Sequence, residues 1–455
     1  MRNETKLTTA SYLTIGSMLF GLFFGAGNLI FPVHMGQLAG SNVHSAIIGF
    51  LITGIGLPFL GIVAMGITNS DSLFDLASRV HPLYAYFMTV ALYLTIGPFF
   101  ATPRLATTSF EVGFAPYIAE GYQTVALAIF TLLFFGTALV LSLKPAKILD
   151  YVGKILNPLF LIFLGILIVT AFFKPLGNIS DVPVLETYTT TPFVNGFLEG
   201  YNTMDALASL AFGVIVIQAI KGLGVTKPSQ IAMDTVKSGL LSVLLMGVIY
   251  TCLAYLGTMS VGQFPVSENG GIALAQISNY YFGTFGSILL AIIVTVACLK
   301  TAIGLITSGS ETFYELFPQL LSYRGYVVLL SVVSGVIANV GLTSIIAYSL
   351  PVLMFLYPLA ITLILLAIFS PLFKHRQIVY VCATLFTLPI SMVDFLKAAP
   401  AFISDLNWVQ NMLTFLNENL PLFEVGLGWL IPSLIGFLVG WGLSLFTRPL
   451  RKRNK

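Results

Sequence analysis

Long apolar runs recur along the whole chain, and they constrain the fold more than any other feature of the sequence. A helix rises about 1.5 Å per residue, so roughly 20 apolar residues cross the hydrocarbon layer of a bilayer, which is about 30 Å thick. Runs of that length predict about twelve membrane-spanning helices. They lie near residues 8–34, 43–66, 83–113, 122–143, 147–173, 197–221, 236–260, 284–309, 325–341, 343–369, 376–397 and 425–447. The expected fold class is an all-α polytopic membrane protein.

Charged residues are too scarce for a soluble protein of this length. Of the 455 residues, 57% are apolar and 9% are charged, whereas soluble domains carry about 25% charge. Lipid is therefore the expected solvent for most of the chain, and residues 1–455 are interpreted as a single transmembrane domain. The formal net charge of +3 is too small to suggest a nucleic-acid partner.

The reactive residue types exclude several classes of function. The chain has three cysteines, all in apolar runs, and four histidines, no two of them at metal-ligand spacing. An enzyme is therefore not expected, and neither is a cofactor other than a coupling ion. The sequence has no Walker A motif, no repeated ion filter and no soluble signalling domain, which argues against an ATPase, a channel and a receptor. A secondary transporter remains.

The distribution of basic residues predicts the orientation in the membrane. With both termini in the cytoplasm, 17 basic residues fall in inside loops, and only Lys174 and Lys397 fall outside. The inside set is Arg2, Lys6, Arg79, Lys144, Lys147, Lys154, Lys221, Lys227, Lys237, Arg324, Lys374, Arg376, Arg448, Arg451, Lys452, Arg453 and Lys455. Cytoplasmic loops of membrane proteins carry the excess of Lys and Arg, so we expect cytoplasmic N- and C-termini.

Two spans are interrupted near their middle by small or polar residues. Residues 25–28 of the first span read Gly-Ala-Gly-Asn, and the sixth span places Asn202, Thr203, Asp205 and Ser209 within eight residues. The interruptions open two five-span blocks, 8–173 and 197–369, which the polar loop 174–196 separates. Residues 376–447 would add two accessory helices.

Paired breaks of this kind have a functional and a structural interpretation. A break in lipid is tolerated only where protein or a cavity surrounds it, and matching breaks in two halves indicate a transporter site between inverted repeats. The free N–H groups of an unwound turn attract a carboxylate, and its free carbonyl groups attract an ammonium group or a small cation. An amino acid zwitterion fits both. The alternative is that Gly25 and Gly27 only allow close helix packing.

Three long motifs carry a resemblance to a known family. They are GLFFGAGNLIFP at 21–32, LYLTIGPFFATP at 92–103 and GYNTMDALASLAFG at 200–213. In these motifs, and in its layout of about twelve spans, the chain resembles the branched-chain amino acid:cation symporter family (BrnQ). That family is similar in architecture to the LeuT-fold transporters, which have a five-plus-five inverted repeat and discontinuous helices 1 and 6.

The resemblance implies a function. The expected activity is import of leucine, isoleucine and valine across the bacterial cytoplasmic membrane, by symport with Na⁺ or H⁺ and alternating access around a midplane site. The alternative is an H⁺-coupled or weakly coupled carrier of other small neutral amino acids such as alanine. The expected partners are the amino acid and the lipid bilayer, and the oligomeric state stays open.

Likeness to LeuT-type sites also implies a set of substrate-binding residues. They are Phe24, Gly25, Ala26, Gly27, Tyr93, Ala206, Ser209 and Phe212. The N–H groups of Ala26 and Gly27 would receive the carboxylate, and Ser209 with the carbonyls before it would face the ammonium group. Phe212 would close over the substrate, unless it is an ordinary core or lipid-facing aromatic. Tyr93 is a further candidate for the carboxylate.

The same likeness implies a second set that couples transport to a cation. It comprises Gly21, Asn28, Asp205, Ala297, Lys300 and Thr301, with Asn28 and Thr301 as candidate Na⁺ ligands. Lys300 lies too deep in its span to reach the interface, and its ammonium group is predicted to take the place of a sodium ion. The alternative is that Lys300 forms a structural ion pair with Asp205 or another acid.

Two further charged residues lie in the third span. Arg104 and Glu111 are seven residues apart, which places them on one helical face. Charged groups inside a membrane usually pair with one another, so these two and Asp205 are predicted to form ion pairs within the bundle. A role for Arg104 as a carboxylate ligand is the secondary interpretation.

Overall fold

The computed structural model describes residues 7–143, 148–225 and 227–446, and in these ranges the chain forms helices without strands. Part of the predicted inside set, at positions 2, 6, 144, 147 and 448–455, lies outside the described residues. The described helices account for all the predicted spans, with bounds that differ from the predicted ones by several residues.

The first five-span block contains nine helices in the described residues. They are α1 (Thr9–Phe23), α2 (Ala26–Ala39), α3 (Val43–Leu51), α4 (Leu57–Thr68), α5 (Leu73–Ser78), α6 (Pro82–Leu94), α7 (Ala101–Gly113), α8 (Gln123–Ser142) and α9 (Ile148–Phe173). Wider π-helical turns at Ile52–Gly56 and Thr95–Phe99 connect α3 to α4 and α6 to α7. Such turns are found mostly inside α-helices, often at functional sites.

The second block and the accessory segment contain the remaining described helices. The block has α10 (Glu186–Thr190), α11 (Pro192–Glu199), α12 (Asp205–Gly222), α13 (Pro228–Ser260), α14 (Gly270–Leu316), α15 (Tyr323–Ala338) and α16 (Leu342–Phe369). The accessory segment has α17 (Gln377–Ala398), α18 (Ala401–Ser404), α19 (Asn407–Asn419) and α20 (Leu430–Phe446). Helix α14 changes direction at Gly283, where φ is 57°.

The length and composition of many helices suit a membrane. Eight helical segments of the described chain are long and apolar enough to cross one, and three shorter apolar helices accompany them. The all-α polytopic fold predicted from the apolar runs is confirmed. The total of about twelve crossings stays a prediction.

Both predicted helix breaks are present. Helix α1 ends at Phe23 and α2 begins at Ala26, so the Gly-rich motif separates two halves of the first span. In the sixth span, α11 ends at Glu199 and α12 begins at Asp205, with a 3₁₀ turn at Gly200–Thr203 between them. Met204 completes this break in a left-handed conformation, with φ 60° and ψ 9°. The prediction of discontinuous helices 1 and 6 is confirmed.

Small residues hold the second half of the first span against α13. A Cβ atom on Gly36 would lie 2.0 Å from the carbonyl oxygen of Ala254, and one on Gly257 would lie 2.0 Å from that of Val33. The two backbones therefore touch, as small residues permit in membrane bundles. The hydroxyl of Thr258 also donates to the carbonyl oxygen of Gly36 at 2.7 Å. This contact fixes α2 beside the cavity described next.

Candidate functional site

A cavity of about 50 Å³ lies where the two broken helices meet. The first break contributes Phe23, Gly25, Ala26, Gly27 and Asn28. The second break contributes Thr203, Met204, Asp205, Ala208 and Phe212. The third span contributes Ile96, Ala101, Arg104 and Leu105, and α14 contributes Thr301 and Leu305. The breaks of both blocks thus face one shared space.

A buried network joins the two breaks. The side-chain oxygen of Asn28 accepts the N–H of Gly25 at 2.8 Å, which caps the start of α2. The amide nitrogen of Asn28 donates to the carboxylate of Asp205 and contacts the hydroxyl of Tyr250. That hydroxyl also donates to the Oδ2 atom of Asp205 at 3.4 Å. Asn28, Asp205 and Tyr250 therefore connect the first break, the second break and α13.

The N-termini of α2 and α12 border the same cavity. Ala26 and Gly27 open α2, and Asp205 opens α12. Helix N-termini carry partial positive charge on their free N–H groups, which favours an anion nearby. Asp205 gains from this position, and the hydroxyl of Thr203 accepts its backbone N–H at 3.3 Å. The two helix ends make this region of the cavity receptive to negative charge.

Arg104 brings a full positive charge to the cavity. It lies in the first turn of α7, directly after the π-helical turn at Thr95–Phe99, and its side chain is 3% exposed. Its guanidinium carbon is 4.8 Å from the centre of the Phe31 ring, in a cation–π arrangement. Its Nη1 atom is buried without a hydrogen-bond partner.

The predicted pairing of Arg104 with Glu111 is wrong. Among the described residues, Arg104 and Glu111 do not come within 4.0 Å of each other as an ion pair, whereas Lys221 pairs with Asp71 at 3.4 Å. Glu111 lies two turns beyond Arg104 and lines a separate cavity of about 360 Å³ beside Gln123. A spacing of seven residues places two side chains on one face of a helix, but about 10 Å apart along it, and here each one meets a different cavity.

The predicted substrate residues fall into two groups. Gly25, Ala26, Gly27 and Phe212 line the cavity, while Phe24, Tyr93, Ala206 and Ser209 are not among the described residues that line it. The Ser209 hydroxyl donates to the carbonyl oxygen of Ala206 at 2.7 Å and faces α4, where it would lie 2.0 Å from a Cβ atom on Gly61. This position does not support the predicted contact of Ser209 with an ammonium group.

Tyr93 also lies away from the cavity. Its ring is buried on α6, and the ring centre is 6.4 Å from that of Phe313 on α14. In the third span it is Arg104, on the far side of the π-helical turn, that reaches the cavity. The position of Tyr93 therefore does not support the predicted contact with a carboxylate.

The predicted cation-coupling residues divide in the same way. Asn28, Asp205 and Thr301 line the cavity, whereas Gly21, Ala297 and Lys300 are not among its described lining residues. The Thr301 hydroxyl donates to the carbonyl oxygen of Ala297 at 3.2 Å, so these two form one turn of α14. The Lys300 side chain next to them is partly buried.

Sequence reasoning missed several residues of the site. Met204 and Tyr250 gave no signal, because an apolar or aromatic residue inside a span resembles any other. The π-helical turn in the third span did give a sequence signal, because Gly97-Pro98 is a strong helix-breaking dipeptide. This dipeptide explains why Ala101 begins a new helix beside the cavity.

Fold and site together define a class of protein. The chain has an all-α membrane fold of the LeuT type, in which the first and sixth spans are discontinuous. It belongs to the family described as branched-chain amino acid transport protein, whose model matches residues 8–446. The resemblance noted in the three sequence motifs is thereby confirmed.

Named relatives cover nearly the whole chain. It is 49% identical to the branched-chain amino acid permease BrnQ of Lactobacillus delbrueckii subsp. lactis, over 96% of this chain and 97% of that protein. It is 46% identical to BrnQ of Bacillus subtilis, with 97% and 99% covered. A branched-chain amino acid transport system 2 carrier protein of Pseudomonas aeruginosa is 39% identical, with 96% of each chain covered.

Solved structures show the same fold at low sequence identity. The inward-facing conformation of Mhp1 matches with a TM-score of 0.61 and 12% identity, over 96% of this chain and 90% of that one. A closed conformation of Mhp1, a nucleobase-cation-symport-1 family transporter with bromovinylhydantoin bound, gives 0.59 and 11%, over 97% and 94%. At these identities the likeness concerns the fold.

Proposed function

We propose that the protein imports leucine, isoleucine and valine across the bacterial cytoplasmic membrane by symport with Na⁺ or H⁺. The observation that carries this proposal is the shared cavity between the two helix breaks. Its lining offers positive charge for a carboxylate and a carboxylate for a cation, with apolar groups such as Phe23 and Leu305 beside them. Relatives whose names state branched-chain amino acid transport cover nearly the full length of the chain.

Alternating access is part of the proposal. The cavity of about 50 Å³ is small beside ordinary ligand sites of about 300–1,000 Å³, so the helices around it would separate to admit a branched side chain. Mhp1, which shares the fold, has been solved in an inward-facing and in a closed conformation. We propose that blocks 8–173 and 197–369 form the moving repeats, with 376–447 as accessory helices.

Asp205 is the residue through which the coupling ion would act. Its buried carboxylate closes the network of Asn28 and Tyr250 and borders the cavity. A cation bound close to this carboxylate and to the carboxylate of the substrate would link ion binding to substrate binding. Asn28 and Thr301 offer further oxygen atoms on the cavity wall, the ligand type that a hard cation prefers.

Uptake into proteoliposomes tests the proposal directly. Purified protein would be reconstituted, and labelled leucine and alanine supplied under an imposed Na⁺ gradient, an imposed H⁺ gradient or none. We expect leucine to accumulate against its gradient with one of the two ions, and an excess of isoleucine or valine to compete. Accumulation of alanine but not of leucine would favour the alternative carrier of small neutral amino acids. Protein-free liposomes supply the background.

A second proposal concerns Lys300. We propose that its ammonium group takes the place of one sodium ion beside Thr301 and Ala297. This part of α14 approaches the first break, because a Cβ atom on Gly25 would lie 3.7 Å from Cγ2 of Thr301. Uptake by Lys300→Thr is then expected to gain a requirement for Na⁺ that the wild type lacks. The proposal would be contradicted if the wild type needs Na⁺ at this position and Lys300→Thr leaves the Na⁺ dependence of uptake unchanged.

A further inference from the structure

The cavity holds an arginine for which the protein supplies no close anionic partner. The charge of Arg104 interacts electrostatically with Asp205 and Glu199, but within the described ranges neither acid comes within 4.0 Å of its guanidinium. Phe31 holds the group in place through its ring face. The Nη1 atom is buried and has no hydrogen-bond partner.

The position of Arg104 makes this arrangement costly for the protein alone. A buried charge is strongly destabilising unless it is paired and hydrogen-bonded. Arg104 is the fourth residue of α7, where the helix dipole disfavours a cation. Ile96, Ala101 and Leu105 line the same cavity and carry no charge. A group that enters the cavity must therefore complete the interaction.

The chemistry of guanidinium specifies what that group is. Its planar fork of N–H donors matches the two oxygens of a carboxylate and binds them with two parallel hydrogen bonds. The N-termini of α2 and α12 add partial positive charge at the same cavity. Asp205, also on the cavity wall, presents the opposite charge. The cavity thus offers one cationic and one anionic side chain to a ligand that carries both charges.

We propose that Arg104 binds the α-carboxylate of the transported amino acid, and that the substrate bridges Arg104 and Asp205. This inference rests on the proposed function and deepens it, because it replaces recognition by backbone dipoles alone with recognition by two buried side-chain charges. The free N–H groups of Ala26 and Gly27 would then assist at the carboxylate. A zwitterion is the preferred substrate class, and compounds that lack either charge should bind more weakly.

Competition between matched ligands tests the contact. Binding of labelled leucine to the purified full-length protein is measured in the presence of unlabelled leucine or of leucinamide, which lacks the carboxylate charge. The wild type should prefer leucine by at least about 30-fold, the loss typical of truncating one partner of a buried charge pair. In Arg104→Gln the preference should fall to a few-fold, because leucine binding weakens while leucinamide binding stays nearly constant.

Two further variants separate this contact from a structural role. Arg104→Lys keeps the positive charge without the planar fork and should retain an intermediate preference for leucine over leucinamide. This variant also tests the contact if Arg104→Gln does not fold. Arg324→Gln removes an exposed arginine and should retain the preference of the wild type. An equal loss of leucine and leucinamide binding in the Arg104 variants would overturn the carboxylate contact and leave the proposed function standing. A wild type that binds no amino acid would overturn both.

Discussion

At Gly25 the backbone leaves the first half of the broken span and enters the second, and its missing side chain keeps the cavity open. A Cβ atom there would lie 3.6 Å from Oδ1 of Asn28 and 3.7 Å from Cγ2 of Thr301, which are ordinary contact distances. The Gly25→Ala variant should therefore fold like the wild type. Its methyl group would occupy space that a substrate needs, and the apparent Kd for leucine should rise about tenfold.

The Gly25→Ala prediction is checked by ligand binding together with thermal unfolding in detergent. Gly136→Ala is the matched control, because nothing lies within 4 Å of a Cβ atom on that exposed residue of α8. Both variants should unfold within a few degrees of the wild type, and only Gly25→Ala should bind leucine more weakly. A large loss of stability in Gly25→Ala would show that the glycine serves packing, the alternative interpretation of the motif.

Two buried acids allow the role of charge in the cavity to be isolated. Asp205 is 4% exposed, and its Oδ2 atom accepts from both Asn28 and Tyr250. An asparagine oxygen can accept the same two bonds, so Asp205→Asn keeps the network and loses the negative charge. We expect uptake of leucine to fall at least about 30-fold, as for other buried charge pairs, with the protein still folded.

Asp394 on α17 is the matched control for Asp205. It is 2% exposed, and both carboxylate oxygens are without hydrogen-bond partners, while Lys397 one turn away donates to the carbonyl oxygens of Phe423 and Glu424. Asp394→Asn removes no hydrogen bond that the structure shows, and it lies outside the cavity lining. Uptake should stay within about twofold of the wild type. Equal losses in the two variants would argue against a special role for Asp205.

The break in the sixth span depends on an unusual backbone conformation at Met204. This residue has φ 60° and ψ 9° although it is not glycine, and the left-handed conformation costs an L-residue roughly 1–2 kcal/mol. Met204→Gly and Met204→Ala remove the same packing contacts, but only glycine relieves the strain. The glycine variant should therefore be more stable than the alanine variant by about 1 kcal/mol.

The stability difference between glycine and alanine should have opposite signs at Met204 and at a position inside a regular helix. At Ala126, inside α8, glycine should be less stable than alanine by about 0.5–1 kcal/mol. Thermal unfolding of Met204→Gly, Met204→Ala, Ala126→Gly and the wild type measures both stability differences. If alanine is also the better residue at position 204, the left-handed turn is not a fixed feature of the sixth span.

The elements themselves were largely predictable, and the directions of their side chains were not. Spans follow from apolar length, and the two main breaks follow from glycine and polar residues at mid-span. Ser209 was expected at the cavity from the likeness of its motif to LeuT-type sites, yet it faces Gly61 on α4. The side of a helix that a residue occupies depends on which neighbour packs there, and a single sequence does not state this. The same applies to Tyr93.

Connecting segments gather at two ends of the molecule. At one end the guanidinium of Arg79 is 3.4 Å from Nδ1 of His375, and Lys221 pairs with Asp71. The α14–α15 connection lies at the same end. Phe317 directly follows α14, and its ring is 6.0 Å from that of Tyr86, which is in the first part of α6 close to Arg79. Burial and the nearby guanidinium lower the pKa of His375, so this end has an imidazole that favours its neutral form.

The opposite end contains the loops that the charge pattern places outside. The N–H of Ser41 donates to the carbonyl oxygen of Val182 at 3.3 Å, and the amide of Asn42 donates to that of Tyr188 at 3.0 Å. The long loop 174–196 therefore folds over the end of α2. Lys221, a described member of the basic inside set, and the loop 174–196 lie at opposite ends of the sixth span, as a consistent topology requires. Which end faces the cytoplasm stays a prediction.

Single-cysteine labelling decides the orientation. Ser180 in the loop 174–196 and Gln319 between α14 and α15 are both exposed, and each would be changed to cysteine after Cys252, Cys298 and Cys382 are replaced by serine or alanine. In intact cells a membrane-impermeant maleimide should label Ser180→Cys and leave Gln319→Cys unreacted until the membrane is permeabilised. Positive charge resists translocation during insertion, so we expect Arg324, near Gln319, to keep that end inside. The reverse pattern would invert the topology, and labelling of both from outside would contradict the predicted arrangement of spans.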